Sequence, residues 1–172
     1  MTLKSRTLLA AFALTLLIFT AGFFVFGNSS ARAQDASHAA VPEFPGFDVR
    51  VTLSEKAEAK LTASNETIIV AGYLTGDPKK QAEKKYVDEM GQVGLGTIKA
   101  EIQPGQVAHF GEVKMKKDAI PQIDVNGPQL LINVYSGRKS SKDNLLDCGI
   151  YEGALKPVEG TTIPIACKLI GE

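Results

Sequence analysis

The sequence has no tryptophan, two cysteines, two histidines and three methionines, so it is poor in the residues from which metal centres and nucleophilic active sites are built. Cys148 and Cys167 are too far apart for C-x-x-C, and no Cys/His cluster has ligand spacing, which argues against dithiol redox chemistry and structural zinc. A nucleophilic hydrolase needs a base beside its serine or cysteine, usually a histidine held by a carboxylate. Only His109 is offered by the folded part, as a strand residue with its ring at the surface or hydrogen-bonded, and no serine sits in Gly-x-Ser-x-Gly. Gly91-Gln92-Val93-Gly94-Leu95-Gly96 lacks the G-x-G-x-x-G order of a nucleotide loop. Asp124-x-Asn126-Gly127 lacks the remaining ligands of an EF-hand and reads as a turn. No cofactor is implied.

Charge of one sign is also missing: 19 basic residues face 19 acidic ones. Long apolar runs are confined to the N-terminus, where Lys4 and Arg6 precede a stretch from Leu8 to Phe26 and then Ala31-Arg32-Ala33. This is the pattern of a secretory signal over residues 1–33 with cleavage before Gln34; the rival is an uncleaved membrane anchor over residues 8–26. Losing residues 1–33 removes three basic residues and no acidic one, leaving a net charge of −3, which argues against nucleic acid as a partner. The expected location is periplasmic or secreted, and a membrane is involved only if the segment stays attached. Residues 34–46, with two prolines and small polar residues, have the composition of a tether. Residues 47–172 are of a usual size for a single domain.

Within that domain the hydrophobic period is mostly two. Phe47, Val49, Val51 and Leu53 alternate with Asp48, Arg50 and Thr52, the mark of a strand with one buried face. Ser54 is placed to cap a short helix through Leu61. Thr67 to Thr75 is apolar nearly throughout and predicts a central strand covered on both faces, with Gly72 marking a bulge or close contact. Asp77-Pro78 opens either a helix to Met90 or a long ordered loop. Val93–Ile102 and Val107–Met115 flank Pro104-Gly105 and are expected to form a hairpin, and Gln129–Ser136 is a further interior strand. Asn65-Glu66-Thr67 matches a glycosylation triplet that is common by chance and receives no role.

The two cysteines fall in Asn144–Glu172. Folding Cys148 opposite Cys167 as an antiparallel pair places Leu146 opposite Leu169 and Ile150 opposite Ile165, with all six on one apolar face. Opposed strand positions permit a disulfide, and export favours it. Two buried thiols, or a bridge across two sheets, remain the alternatives.

About seven strands with turn signals between them and short helical inserts define an all-β antiparallel sandwich with Greek-key connections, a profile that immunoglobulin-like and transthyretin-like sandwiches share. The immunoglobulin Cys, Trp, Cys signature is absent. Arg138, Lys139 and Lys142, with Ser140 and Ser141 between them, form a basic loop suited to a carboxylate or phosphate on an anionic envelope component or another exported protein. The expected function is an exported non-enzymatic binding or interaction module of the cell envelope, chaperone-like or inhibitory. Two alternatives stand beside it: a small periplasmic hydrolase using carboxylates drawn from Asp77, Asp88, Glu89, Asp143 and Asp147, and a copper or other metal handler built from Met90, Met115 and His109.

Overall fold

A computed structural model describes residues 44–172. The signal or anchor, and most of the tether, lie outside the described residues. Among the described residues eight strands and one α-helix follow in the order β1 (Phe47–Leu53), α1 (Glu55–Ala63), β2 (Ile68–Gly76), β3 (Val93–Ile102), β4 (Val107–Phe110), β5 (Gln129–Ser136), β6 (Leu146–Cys148), β7 (Tyr151–Ala154) and β8 (Thr162–Leu169). They make two four-stranded sheets, β4-β1-β8-β6 and β3-β2-β5-β7, packed together as an all-β sandwich.

Alternation drives the packing. Val49 and Val51 of β1, with Ile163 and Ile165 of β8, turn inward to meet Val70 and Leu74 of β2 and Leu130 and Ile132 of β5, all buried. Arg50 and Thr52 face solvent on the other side of β1. The pairing is antiparallel throughout except between β1 and β8, which run parallel over Asp48–Leu53 and Thr162–Cys167. Ser54 caps α1 as expected, its hydroxyl accepting from the Ala57 amide at 3.2 Å, and the helix reaches Ala63. Its charged side chains face water while Ala57 and Leu61 are fully buried. The described fold starts at Phe44, inside the stretch read as a tether: Phe44 is buried, bridges to Val113 and packs edge-on against Phe47.

β2 is the expected central strand, flanked by β3 and β5. Gly72 is a close contact rather than a bulge, since a Cβ there would come within 2.7 Å of Ile98. The bulge falls two residues on, where the register with β3 shifts between Leu74 and Thr75. The Asp77–Met90 stretch takes the loop form, its only helical element among the described residues being a 3₁₀ turn at Lys84–Tyr86.

Two expected pairings are overturned. β3 and β4 do not form a hairpin: β4 pairs with β1 in one sheet while β3 pairs with β2 in the other. The Pro104-Gly105 turn bends the chain, but the edge of β1 is the partner that lets Ala108 and Phe110 bury their side chains. Likewise Ile150 does not oppose Ile165. β6 ends at Cys148, Ile150 is 64% exposed, and the chain crosses to the other sheet, where β7 pairs with the edge of β5. Cys148 opposite Cys167 and Leu146 opposite Leu169 hold as expected. The cysteines form a disulfide within one sheet, with Cα atoms 4.0 Å apart.

Candidate functional site

The outward face of the β3-β2-β5-β7 sheet carries a concavity at one end. Register sets its rows: Glu101, Ile69 and Tyr135; then Lys99, Ala71 and Asn133; then Thr97, Tyr73, Leu131 and Glu152; then Thr75 and Gln129. The six steps along β2 from Ile69 to Thr75, at about 3.3 Å each, make this face roughly 20 Å long.

Beyond the Thr75 row the sheet ends in a wall made by two loops. The Asp124 amide donates to the Asp77 carbonyl at 2.8 Å, the Lys79 amide donates to the Gln122 carbonyl at 2.9 Å, and Pro78 bridges to Ile123. Asp124 then fixes the rim, accepting from the Asn126 amide at 2.9 Å and from its Nδ2 at 2.8 Å. Face and wall enclose a cleft of about 540 Å³. Tyr73, Thr75 and Leu131 form its floor; Gln129 and Glu152 stand on the β5-β7 side; Asp77, Gln92 and Asn126 come from the loops. Among the described residues, the side chains of Tyr73, Thr75, Asp77, Gln92 and Glu152 donate or accept no hydrogen bond within the protein. Tyr73 is 41% exposed. Donors, acceptors and an aromatic ring are therefore uncommitted in one concave place, the composition of a small-molecule site.

The basic loop lies at the opposite end of the same sheet, and its organising residue is one to which the sequence assigned no role. Glu66 is fully buried at the entry to β2. Its carboxylate accepts from the Thr67 amide at 3.0 Å, the Lys139 amide at 2.9 Å, the Ser140 amide at 2.7 Å and the Ser140 hydroxyl at 2.6 Å. Burial pushes this carboxyl up, but the Ser140 hydroxyl and the three amides outweigh it and hold the pKa at about 2. The loop's donors thus already grip an anion, and it belongs to the protein.

The rest of the loop is equally tied. Lys139 Nζ reaches Glu101 Oε1 at 3.0 Å, and the same oxygen accepts from the Thr67 hydroxyl at 2.7 Å. The Thr67 and Lys139 bonds hold the Glu101 carboxyl below its ordinary range. Asn144 Oδ1 accepts from the Ser136 amide at 2.9 Å, and Ser136 Oγ accepts from the Leu145 amide at 2.9 Å. Gly137 permits the close approach, because a Cβ at that position would collide with Oγ1 of Thr67. Alanine there should therefore open the loop and raise amide exchange at Lys139 and Ser140, with little change at Leu130 or Ile132. All three expected anion-binding residues are exposed; Lys139 is paired with Glu101, while Arg138 and Lys142 make no ion pair among the described residues.

The structure scatters the other candidates. Asp77 alone of the five carboxylates lines the cleft. Asp88 accepts from the Met90 and Gln92 amides in its own turn, and Asp147 sits on β6 of the other sheet, 3.7 Å from Lys168. Met115 is buried, Met90 is 86% exposed, and His109 lies on β4 bonded to Asp48 at 2.8 Å, so these three occupy separate environments. Tyr73, Gln92, Gln129 and Glu152 were missed as site residues. The available signal was Tyr73 and Leu131, apolar at outward positions of strands whose inward positions were already apolar.

No protein-family model, no curated protein and no solved structure matches this chain.

Proposed function

We propose that this chain is an exported, non-enzymatic binding module of the cell envelope, periplasmic or secreted, whose ligand occupies the cleft on the outward face of the β3-β2-β5-β7 sheet. The observation that carries this is the cleft itself: about 540 Å³, lined in part by Tyr73, Thr75, Asp77, Gln92 and Glu152, whose side chains make no hydrogen bond among the described residues. The disulfide supports an oxidising compartment, and among the described residues no helix is long and apolar enough to cross a membrane. Arg138 and Lys142, at the far end of the sheet, are the remaining contacts for an anionic envelope component or another exported protein.

The test uses isotopically labelled protein purified from its own host and titrated with fractions of that host's envelope. The expected result is a fraction that shifts the amide resonances of Tyr73, Thr75 and Gln129, and that loses its effect when Thr75→Arg fills the cleft. Shifts confined to the β4-β1-β8-β6 sheet, or unchanged in the Thr75→Arg protein, would contradict the proposal.

One observation favours a second reading, hydrolysis by paired carboxylates: Asp77 and Glu152 line the same cleft, Asp77 from the loop that follows β2 and Glu152 from β7, on the far side of β5. Cleavage of a bound oligosaccharide that disappears in both Asp77→Asn and Glu152→Gln would establish it. Binding without turnover supports the module.

A further inference from the structure

We infer that the ligand of this cleft is a neutral oligosaccharide, held with one sugar ring against Tyr73. The inference rests on the binding role proposed for the cleft and assigns its ligand class. The floor is a sheet interior: β2 lies between β3 and β5, and β5 between β2 and β7, so the backbone groups beneath the cleft are already paired. An extended peptide adding to a sheet needs an unpaired edge, and this floor offers side chains only. A ligand recognised here must carry its own dense array of hydroxyls or amides on a compact frame.

The lining meets that requirement group by group. Tyr73 opposes Thr97 on one side and Leu131 on the other, so its part-exposed side chain has an aliphatic neighbour on the outward face of the sheet. The C–H face of a pyranose packs against such a surface, as apolar groups do on aromatic rings. Around it stand three amides: Gln92, and Asn126 and Gln129, whose NH2 groups each give one hydrogen bond, to Asp124 and to the Gly127 carbonyl, and keep a second N–H and the carbonyl oxygen, which suits vicinal hydroxyls that both give and take hydrogen bonds. Asp77 and Glu152 add acceptors only. Among the described residues no lysine, arginine or histidine lines the cleft, so the carboxylates of Asp77 and Glu152 have no cation beside them in its lining and an acidic ligand would be repelled. An apolar ligand would leave the amides and carboxylates without partners, a cost that side-chain hydrogen bonds to a sugar avoid. The cleft volume falls in the ~300–1,000 Å³ range of small-molecule sites.

The experiment is a calorimetric and NMR titration of the protein as its host produces it. The probes are cellohexaose, xylohexaose, mannohexaose and chitohexaose, with hexagalacturonate as an acidic comparator. The expected result is that at least one neutral probe shifts Tyr73 and the side-chain amides of Gln92 and Gln129. Tyr73→Ala should then weaken binding about tenfold or more with the melting temperature unchanged, and Tyr73→Phe should retain most of the affinity. Absence of binding by every neutral probe at millimolar concentration, or preference of the cleft for hexagalacturonate, would overturn the inference. Treating the active envelope fraction separates this failure from failure of the binding role. If protease, and not periodate, abolishes the shifts at Tyr73, the cleft binds a protein and the sugar assignment falls alone; if no envelope fraction shifts the cleft, both fall.

Discussion

Replacing Glu66 by glutamine is expected to lower the unfolding free energy near neutral pH by about 3 kcal/mol, and to flatten the acid limb of the stability curve. The carboxyl has an ordinary value of 4.5 and is held at about 2 in the folded protein. A folded-state pKa below the unfolded one means that the unfolded chain takes up the proton first. The stabilisation is complete above pH 4.5 and disappears as the pH falls from there through about 2. A shift of that size corresponds to roughly 3 kcal/mol, at about 1.4 kcal/mol per pKa unit. Glutamine leaves one oxygen for four donors and turns its own NH2 toward amides that need an acceptor. Urea unfolding of both proteins from pH 7 to pH 2 checks this. The wild-type curve should fall across the window and the Glu66→Gln curve should fall less, the two converging at low pH. Parallel curves would mean that the buried carboxylate does not organise the loop.

The second large effect is expected at the disulfide. Cys148 and Cys167 are separated by 19 positions, and the chain between them leaves the sheet, makes β7 on the other one and returns. Cutting this link lets the unfolded chain explore states that the bridge forbids. For a loop of about 20 residues the chain-entropy model puts the gain at roughly 3 kcal/mol. The paired substitution Cys148→Ala with Cys167→Ala, compared with wild type by urea unfolding with and without reductant, measures it. The variant should unfold at lower denaturant concentration, and reductant should bring the wild type down to meet it. A loss below about 1 kcal/mol would show that Leu146 and Leu169, paired in the same register, hold β6 to β8 without the bridge.

Legibility in the sequence followed the range of the forces involved. β1, β2 and β5 were readable because period-two alternation, or an unbroken β-branched run, is written within each segment. The Ser54 cap was readable because capping acts within one turn of helix. The cysteine register was readable because a covalent link and a shared apolar face point the same way. What failed was the choice of partner. Pro104-Gly105 says that the chain turns, not that Val107–Phe110 will seek the edge of β1, and the apolar series Leu146, Cys148, Ile150 gives no sign that the sheet changes at Gly149. The parallel pairing of β1 with β8 joins opposite ends of the domain and has no local trace.

The site was legible only in its parts. Arg138, Lys139 and Lys142 announce themselves as charges, yet a buried carboxylate more than 70 positions earlier decides how that loop is held. Tyr73, Gln92, Gln129 and Glu152 come from four separate segments that meet only once two loops wall the end of the sheet. Nothing local in the sequence distinguishes Asp77 from the other four carboxylates.

The most direct test of the cleft as the binding site is photo-crosslinking in the native host. A photoreactive phenylalanine derivative replaces Tyr73 in one strain and Thr162, on the outward face of the opposite sheet, in another. The account predicts a discrete adduct from position 73 that Thr75→Arg abolishes, and none from position 162. Equal labelling from the two positions, or an adduct from 162 alone, would contradict it.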